Sequence, residues 1–496
     1  MVSLSASVAW WARTDPARTA IVFQDERVAY ATLYERVQAA AGFLAAQGVR
    51  PGDVVALLMK NSSAFVELAL AVSHAGAVLL PINYRLGTDE VTYITEHAEA
   101  KLLFVDVELE GSATGCAHVV IVDEPAQRDS GVLTQGAQAL GMAHASTPES
   151  LFRLMYTSGT TDRPKGVMHT YGNYLWKCTD HIAALRLTAE DRLLVAGPLY
   201  HVGAFDLPGL AMLLVGGSLA ILRDFDERAA LSLIGQERLT GAWMAPIMLN
   251  RSLIAGAGAA YNLASLRWVV GGGDRTPEGR IREFNSLFTE ARYIDAYGLT
   301  ETCSGDTMMD AGRELDKIGS AGRAVAHVDI DIRDDHGRSV GANESGEICL
   351  RGPKVSGGYW KDSERTAASR YGEWFRTGDV GYLDVDGFLF LTDRKKDMII
   401  SGGENIASSE VERVLYQMPA VVEAAAIGLP DERWGERVTA VVALKPGTSM
   451  TLDDVQRHCE GRLGGFKTPK QLVIIEALPR NPSGKVLKRV LREELS

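Results

Sequence analysis

The densest chemistry in this chain lies in twelve residues, Tyr156-Thr157-Ser158-Gly159-Thr160-Thr161-Asp162-Arg163-Pro164-Lys165-Gly166-Val167. Four Ser/Thr hydroxyls, two glycines and Lys165 fall together, directly after the apolar run Leu151–Met155. Hydroxyls and bare backbone N–H groups donate to phosphate oxygens, and a lysine supplies charge. The order is not the GxxxxGK[ST] of a P-loop, so composition alone equally describes a polar connector. A second lysine, Lys485, follows Asn481-Pro482-Ser483-Gly484, a turn that presents it at a loop tip. Its plain alternative is a solvated cation beside Lys488, Arg489 and Arg492. Glu301 follows the Thr300 hydroxyl in a polar turn, a pairing suited to Mg²⁺ and a phosphate. Asp379 in Thr377-Gly378-Asp379 is either an acceptor for a ligand or an ordinary turn residue. His201 stands alone after Tyr200, and a lone histidine is more often structural. Five cysteines (116, 178, 303, 349, 459) are far apart with no CxxC pair, which disfavours a disulfide framework and zinc.

The elements that must position these groups alternate strand and helix. Val54–Met59, Leu102–Val107, Val119–Val122, Leu193–Ala196, Ser218–Leu222 and Trp268–Val270 read as buried strands, and Ser62–Gly76 as a helix stopped by glycine. That alternation predicts an α/β fold with largely parallel sheets. Near Asp329–Arg333 and Glu347–Arg351 the pattern turns to short strands with Asp-Gly turns at Asp334–Gly337 and Asp384–Gly387, a small β-rich subdomain. After Asp393-Arg394 a fresh pattern begins: helix Ser409–Tyr416, strands Val421–Ile427 and Thr439–Leu444, helix Val455–Leu463, strand Leu472–Ile475 and a basic terminal helix. The expectation is a large domain over 1–394 and a small α+β domain over 395–496.

With 496 residues, a prior of ~150 per domain suggests about three domain-sized units. Acidic residues exceed basic ones, 63 to 51, for a net charge of −12; that disfavours a nucleic-acid surface, which needs clustered cations. The apolar stretches Leu68–Ile82 and Gly209–Leu222 are interrupted and fall short of the ~20 residues of a membrane span. The amino-terminal segment lacks the basic start of a signal peptide and reads as a first helix. A cytoplasmic protein is the expectation.

Taken in order, the polar loop, Pro198-Leu199-Tyr200-His201, Gly271-Gly272-Gly273-Asp274, Tyr297-Gly298-Leu299-Thr300-Glu301-Thr302, Thr377-Gly378-Asp379, Asp393-Arg394-Lys395-Lys396-Asp397, Ser401-Gly402-Gly403-Glu404-Asn405 and Asn481–Lys485 closely resemble the motifs of the adenylate-forming superfamily. That family includes acyl-CoA synthetases, luciferases and peptide-synthetase adenylation domains, and the resemblance covers essentially the whole chain. It implies a mobile carboxy-terminal cap and two steps. A carboxylate attacks the α-phosphate of Mg-ATP, giving an acyl-adenylate and pyrophosphate; a thiol, usually that of coenzyme A, then displaces AMP. Thr157, Ser158, Gly159, Thr160, Thr161 and Lys165 would hold phosphates. Thr300 would donate to the α-phosphate and Glu301 would ligate Mg²⁺. Tyr297, Gly298, Gly271–Gly273 and Asp274 would surround adenine, Asp379 would take the ribose hydroxyls, and Arg394 the ribose or phosphates. Lys485 would bridge carboxylate and α-phosphate in the first step. Rotation about Lys396 would then withdraw it. Asp162 stands where the family usually has glycine, and its charge would repel polyphosphate.

The resemblance sets His201, Val202, Gly203, Trp243, Met244, Gly271, Gly298 and Cys303 around the acyl group, with His201 positioning and gating. Arg85, Gly402, Gly403, Trp434 and Phe466 would meet coenzyme A. The mainly apolar set implies a hydrophobic acid: a medium- or long-chain fatty acid first, a benzoate- or cinnamate-type aryl acid as the alternative. A luciferase-like or carrier-loading enzyme is the further alternative. Amino-acid-activating relatives carry an Asp near this histidine; here Val202 follows it, and the direction of Asp206 is open. The partners implied are the acid, ATP and coenzyme A. A homodimer is left open.

Overall fold

The alternating pattern resolves into two largely parallel sheets in the computed structural model, which describes residues 2–122, 138–157, 163–258, 260–273, 276–394, 397–402, 404–480 and 486–496. The first has six strands in the order 119–122, 100–106, 54–58, 78–81, 151–157, 165–170. Its neighbours run parallel except the last pair, where Lys165–Thr170 turns back antiparallel on Leu151–Thr157. The polar loop therefore joins a hairpin at the edge of a parallel sheet. The helix expected over 62–76 spans Ser63–His74, capped by Ser62 Oγ accepting the Phe65 N–H at 3.1 Å, and Gly76 follows at φ +75°.

The second sheet has nine strands, with 292–297, 268–271, 241–244, 192–195, 218–221 and 19–23 parallel at its centre. Every one of these carries a run of apolar side chains, as strands covered on both faces must. Ligands of parallel sheets bind beyond the carboxyl ends of the strands. Those ends deliver Met244, Gly271 and Tyr297, each at a motif named above.

The β-rich part is an antiparallel sheet of 329–333, 346–351, 374–383 and 370–371, with 389–394 on the free side of 374–383. A fourth sheet, 404–406, 399–401, 435–444, 421–431 and 471–474, carries helices Ser408–Leu415 and Leu452–Cys459. The second of these corrects the expected Val455–Leu463. Thr451 and Asp454 form a capping box that starts the helix three residues earlier, and the chain leaves it at Cys459. One apolar cluster runs through the large part as far as Leu391, and a separate one begins at Ile399.

Candidate active site

The hairpin that bounds the polar loop ends in Lys165, whose Nζ lies 2.8 Å from Glu301 Oε1 and 2.8 Å from the Tyr359 hydroxyl. Tyr359 in turn donates to Glu301 Oε1 at 2.9 Å. The cation expected for phosphate and the carboxylate expected for Mg²⁺ thus meet on a phenol that the sequence reading missed. Tyr359 is set there by backbone pairing. The Trp360 N–H donates to the Gly166 carbonyl, the Met168 N–H to Gly358, and the Ser356 N–H to the Glu301 carbonyl. Thr157 Oγ1, at the end of the strand entering the loop, is a buried hydroxyl without a partner. A buried donor of this kind costs about 1–3 kcal/mol until an acceptor arrives, which suits a phosphate oxygen. One carboxylate beside a phosphate site is the donor set Mg²⁺ takes with a nucleotide. Among the described residues no group of three or more His, Cys, Asp or Glu is gathered for a metal.

Behind Glu301 lies a buried ionic cluster that sequence reasoning also missed. Arg153 is fully buried and grips Asp206 with two hydrogen bonds of 3.0 and 2.7 Å. Asp206 therefore faces Arg153 and Lys177, not a ligand. The Arg153 Nε–H also donates to His169 Nδ1 at 3.0 Å. Arginine has only donors, so His169 accepts at Nδ1 and holds its proton at Nε2, which donates to the Thr300 carbonyl at 2.7 Å. Burial, reinforced by Arg153, pushes the His169 pKa down to about 3. After Glu301 the backbone enters the left-handed region three times in succession, at Cys303, Ser304 and Gly305 (φ 55°, 64° and 63°). Buried Lys354 holds that turn, donating to the Ser304 and Gly305 carbonyls at 2.7 and 2.8 Å and pairing with Asp306 at 2.9 Å.

Two expected nucleotide residues are brought into contact: the Tyr297 hydroxyl donates to Asp379 Oδ2 at 2.8 Å. Burial and the nearby carboxylate raise the Tyr297 pKa well above its ordinary value, so it stays a donor. The Asp379 turn is fixed by Thr377 Oγ1, which accepts the Asp379 N–H and donates to Ile348. Strand register sets Arg394 opposite Asp379. At Gly271 a Cβ would meet the Tyr293 hydroxyl at 1.6 Å, so packing against this tyrosine requires the glycine. Gly298 is likewise closed by protein, its Cβ position 2.3 Å from the Gly305 nitrogen. Gly272 and Gly273 are roomier, with nearest atoms 3.2 and 3.9 Å from the Cβ position.

His201 caps the helix Val202–Asp206, its Nδ1 accepting the Gly203 N–H at 3.0 Å. Burial pushes its pKa down to about 4, so the ring is neutral near pH 7 with its proton on Nε2. Its ring lies 6.5 Å from that of Trp243 at an interplanar angle of 32°. Trp243 is seated by glycines: side chains at Gly197 or Gly203 would reach 2.3 or 2.4 Å from the indole, and its ring borders Gly272 and Gly273. Met244 and Cys303 were also expected around the acyl group. Met244 follows Trp243 in one strand and is fully buried, its side chain alternating to the other face of the sheet. Cys303 is fully buried within electrostatic reach of Arg153, Asp206, Lys177 and Lys354, and burial lifts its thiol to about 12.

On the small sheet Gly402, at φ +63°, donates its N–H to the Trp434 carbonyl at 2.7 Å, and a Cβ there would stand 3.0 Å from the indole. Trp434 is 37% exposed, with Arg433 and Lys470 stacked on its ring at 4.7 and 5.4 Å. Phe466 is 44% exposed. Arg85 belongs to the large part and stacks on Tyr84 at 5.5 Å. Ser158, Gly159, Thr160, Thr161, Asp162, Asp274, Lys396, Gly403 and Lys485 lie outside the described residues, as does the side chain of Arg394.

The chain matches the AMP-binding enzyme family over residues 8–360 and that family's C-terminal domain over 410–485. It is 37% identical to a feruloyl-CoA synthase of Amycolatopsis sp over 97% of this chain and 96% of that protein. With the long-chain-fatty-acid–CoA ligase FadD13 of Mycobacterium tuberculosis it shares 35% identity over 95% of this chain and 94% of that one. The solved o-succinylbenzoate CoA synthetase of Bacillus subtilis, in complex with its acyl-adenylate intermediate, superposes with a TM-score of 0.88 at 30% identity, covering 99% of this chain and 97% of that chain. No helix among the described residues is long and apolar enough to cross a membrane. The chain belongs to the AMP-binding enzyme family and is an AMP-forming acid–thiol ligase.

Proposed function

We propose that this enzyme joins a compact aromatic carboxylic acid to coenzyme A through an acyl-adenylate. The observation that carries the choice of acid is Trp243. Its indole is wedged between Gly197, Gly203 and the Gly272–Gly273 loop, tilted 32° from His201, and would offer a flat aromatic wall near the carboxyl ends of the strands. Flat walls favour ring-shaped acids, because aromatic pairs gain about 0.5–1.5 kcal/mol beyond their buried area. A long alkyl chain instead needs a deep channel. The aryl alternative is therefore preferred to the fatty acid, in keeping with the feruloyl- and succinylbenzoate-activating relatives.

ATP with Mg²⁺, the acid and coenzyme A are the reactants. Lys165, Thr157 and the loop hydroxyls hold the β- and γ-phosphates, while Tyr297 and Asp379 take adenine and ribose. Glu301 would hold the metal, which when bound neutralises charge developing on the phosphates. The Thr300 turn, pinned by His169, sets a donor at the α-phosphate. Neutral His201 positions the acid's carboxylate; with a pKa near 4 it is too weak a base to take a proton at pH 7. Lys485 neutralises the carboxylate and α-phosphate oxygens as the acyl–phosphate bond forms. The cap, residues 395–496, then turns about Lys396, and Trp434, flanked by Arg433 and Lys470, receives the adenine and phosphates of coenzyme A. The test is acid-dependent pyrophosphate release with benzoic, cinnamic and long-chain fatty acids, with and without coenzyme A. Aryl-CoA formation is the expected result. Acyl-CoA from fatty acids alone would overturn the choice of acid, and pyrophosphate without any thioester would overturn the ligase assignment.

A further inference from the structure

We propose that Trp243 reads the substituents of the acid, its indole N–H serving as a hydrogen-bond donor to an oxygen on the substrate's ring. The inference rests on the aromatic-acid reading above and adds a polar requirement to it. Trp243 is 4% exposed, and its Nε1 is buried without a hydrogen-bond partner. A tryptophan N–H in that state normally finds an acceptor, because leaving a donor dry is costly. Residue 272, beside it, is glycine: a methyl there would stand 3.2 Å from the Ala296 carbonyl oxygen, 3.7 Å from Nε1 and 3.9 Å from Leu207 Cδ2. Leu207 offers no acceptor, and the Ala296 carbonyl oxygen beside the same position is not hydrogen-bonded to Nε1.

A second buried tryptophan, Trp268, also has an unpartnered N–H. Its place in the sheet is different. Strand register pairs Trp268, first in its strand, with Gly241, first in its own, at the end remote from the site. Trp243 lies one residue from the carboxyl end, where ligands of parallel sheets bind. The two dry N–H groups therefore belong to opposite ends of their strands, and only that of Trp243 is at the ligand-binding end.

A donor buried in an apolar pocket discriminates strongly against a substrate that cannot pair with it. Methoxy and ethyl groups match in shape but differ in that one oxygen. The experiment compares kcat/KM for 3- and 4-methoxycinnamate with 3- and 4-ethylcinnamate in the wild type, Trp243→Phe and Gly272→Ala, each checked for folding by thermal melting. The wild type is expected to favour the methoxy acid at one ring position by roughly tenfold or more, mainly through KM. Trp243→Phe removes the donor and should bring the ratio near one. Gly272→Ala puts a methyl before the N–H and should lower the ratio while the tryptophan remains. Equal use of both acids by the wild type, or a ratio unchanged in both variants, overturns the inference and leaves the aromatic-acid reading standing. Turnover of linear acids with neither cinnamate pair accepted overturns both.

Discussion

Tyr359 shows how much one side chain does beside the polar loop. Its hydroxyl accepts from Lys165 and donates to Glu301, so it fixes the distance between a cation and a carboxylate before nucleotide arrives. Hydrogen bonds to charged groups contribute about 1.5–3 kcal/mol, so Tyr359→Phe should lower kcat/KM for ATP roughly tenfold or more. The change should fall on ATP and Mg²⁺ and spare the KM for the acid; an equal loss for acid and nucleotide would mean that Tyr359 only supports the fold. The buried histidines make a second prediction. Folded pKa values of about 3 for His169 and about 4 for His201 lie below the ordinary 6.5, so the unfolded chain takes up protons first. The stability they contribute is complete above pH 6.5 and is lost progressively as pH falls, down to about 4 for His201 and about 3 for His169. His169→Gln keeps an acceptor for Arg153 and a donor for Thr300 but cannot titrate, so it should flatten the fall of melting temperature between pH 6.5 and 4. An undiminished fall in the variant would assign the acid sensitivity elsewhere. Lys165, Glu301 and Asp379 could be found by motif because their chemistry needs fixed residue types at fixed places. Tyr359 could not, since its role arises from backbone pairing between Gly166 and Trp360, segments nearly two hundred residues apart.

At the scale of elements, the turn after Glu301 is the most demanding piece of backbone near the site. Non-glycine residues in the left-handed region cost on the order of 1 kcal/mol each, and Cys303 and Ser304 both adopt it. Lys354 offsets this by gathering two carbonyls and the Asp306 carboxylate on one ammonium. Removing one partner of a buried pair costs about 3–5 kcal/mol, because the other charge is left dry. Lys354→Met should therefore destabilise by that order in denaturant unfolding, while Lys354→Met with Asp306→Asn should recover part of it. Additive losses in the double variant would deny the coupling. Strands were the readily predicted elements: Val119–Val122 has the expected bounds, others of the large part differ by a residue or two, while Val421–Ile427 and Thr439–Leu444 each extend four residues further, to Val421–Asp431 and Gly435–Leu444. The helix Leu452–Cys459 was displaced because its start is set by the Thr451–Asp454 cap and not by its apolar residues. Arg153 was invisible for a different reason. A charge inside an apolar strand has no local justification, and only the fold brings Asp206 from fifty-three residues away to pair with it.

For the whole molecule the question is how one cleft serves two reactions. The apolar cluster of the large part ends at Leu391 and that of the small part starts at Ile399, so little apolar packing has to break for the parts to turn between them. The Ser409 hydroxyl donates to the Thr392 carbonyl near that junction, a contact a rotation can exchange for water. Lys485 and Trp434 both fall in the small part by sequence, yet in the proposed mechanism the first serves carboxylate activation and the second the thiol. A rigid body carrying both can present only one at a time, which makes the two half-reactions separable by substitution. Lys485→Ala should reduce acid-dependent pyrophosphate release by ~10²–10³-fold, the usual cost of deleting one preorganised transition-state donor. Thioester formation from a chemically supplied aryl-adenylate and coenzyme A should persist in the same variant, because in the proposed mechanism that step does not use the lysine. Trp434→Ala should do the reverse, raising the KM for coenzyme A while pyrophosphate release continues. A folded Lys485→Ala enzyme that failed in both half-reactions would show that the lysine holds the assembly together and does not serve one step of it, and the rotating cap would lose its chemical reason.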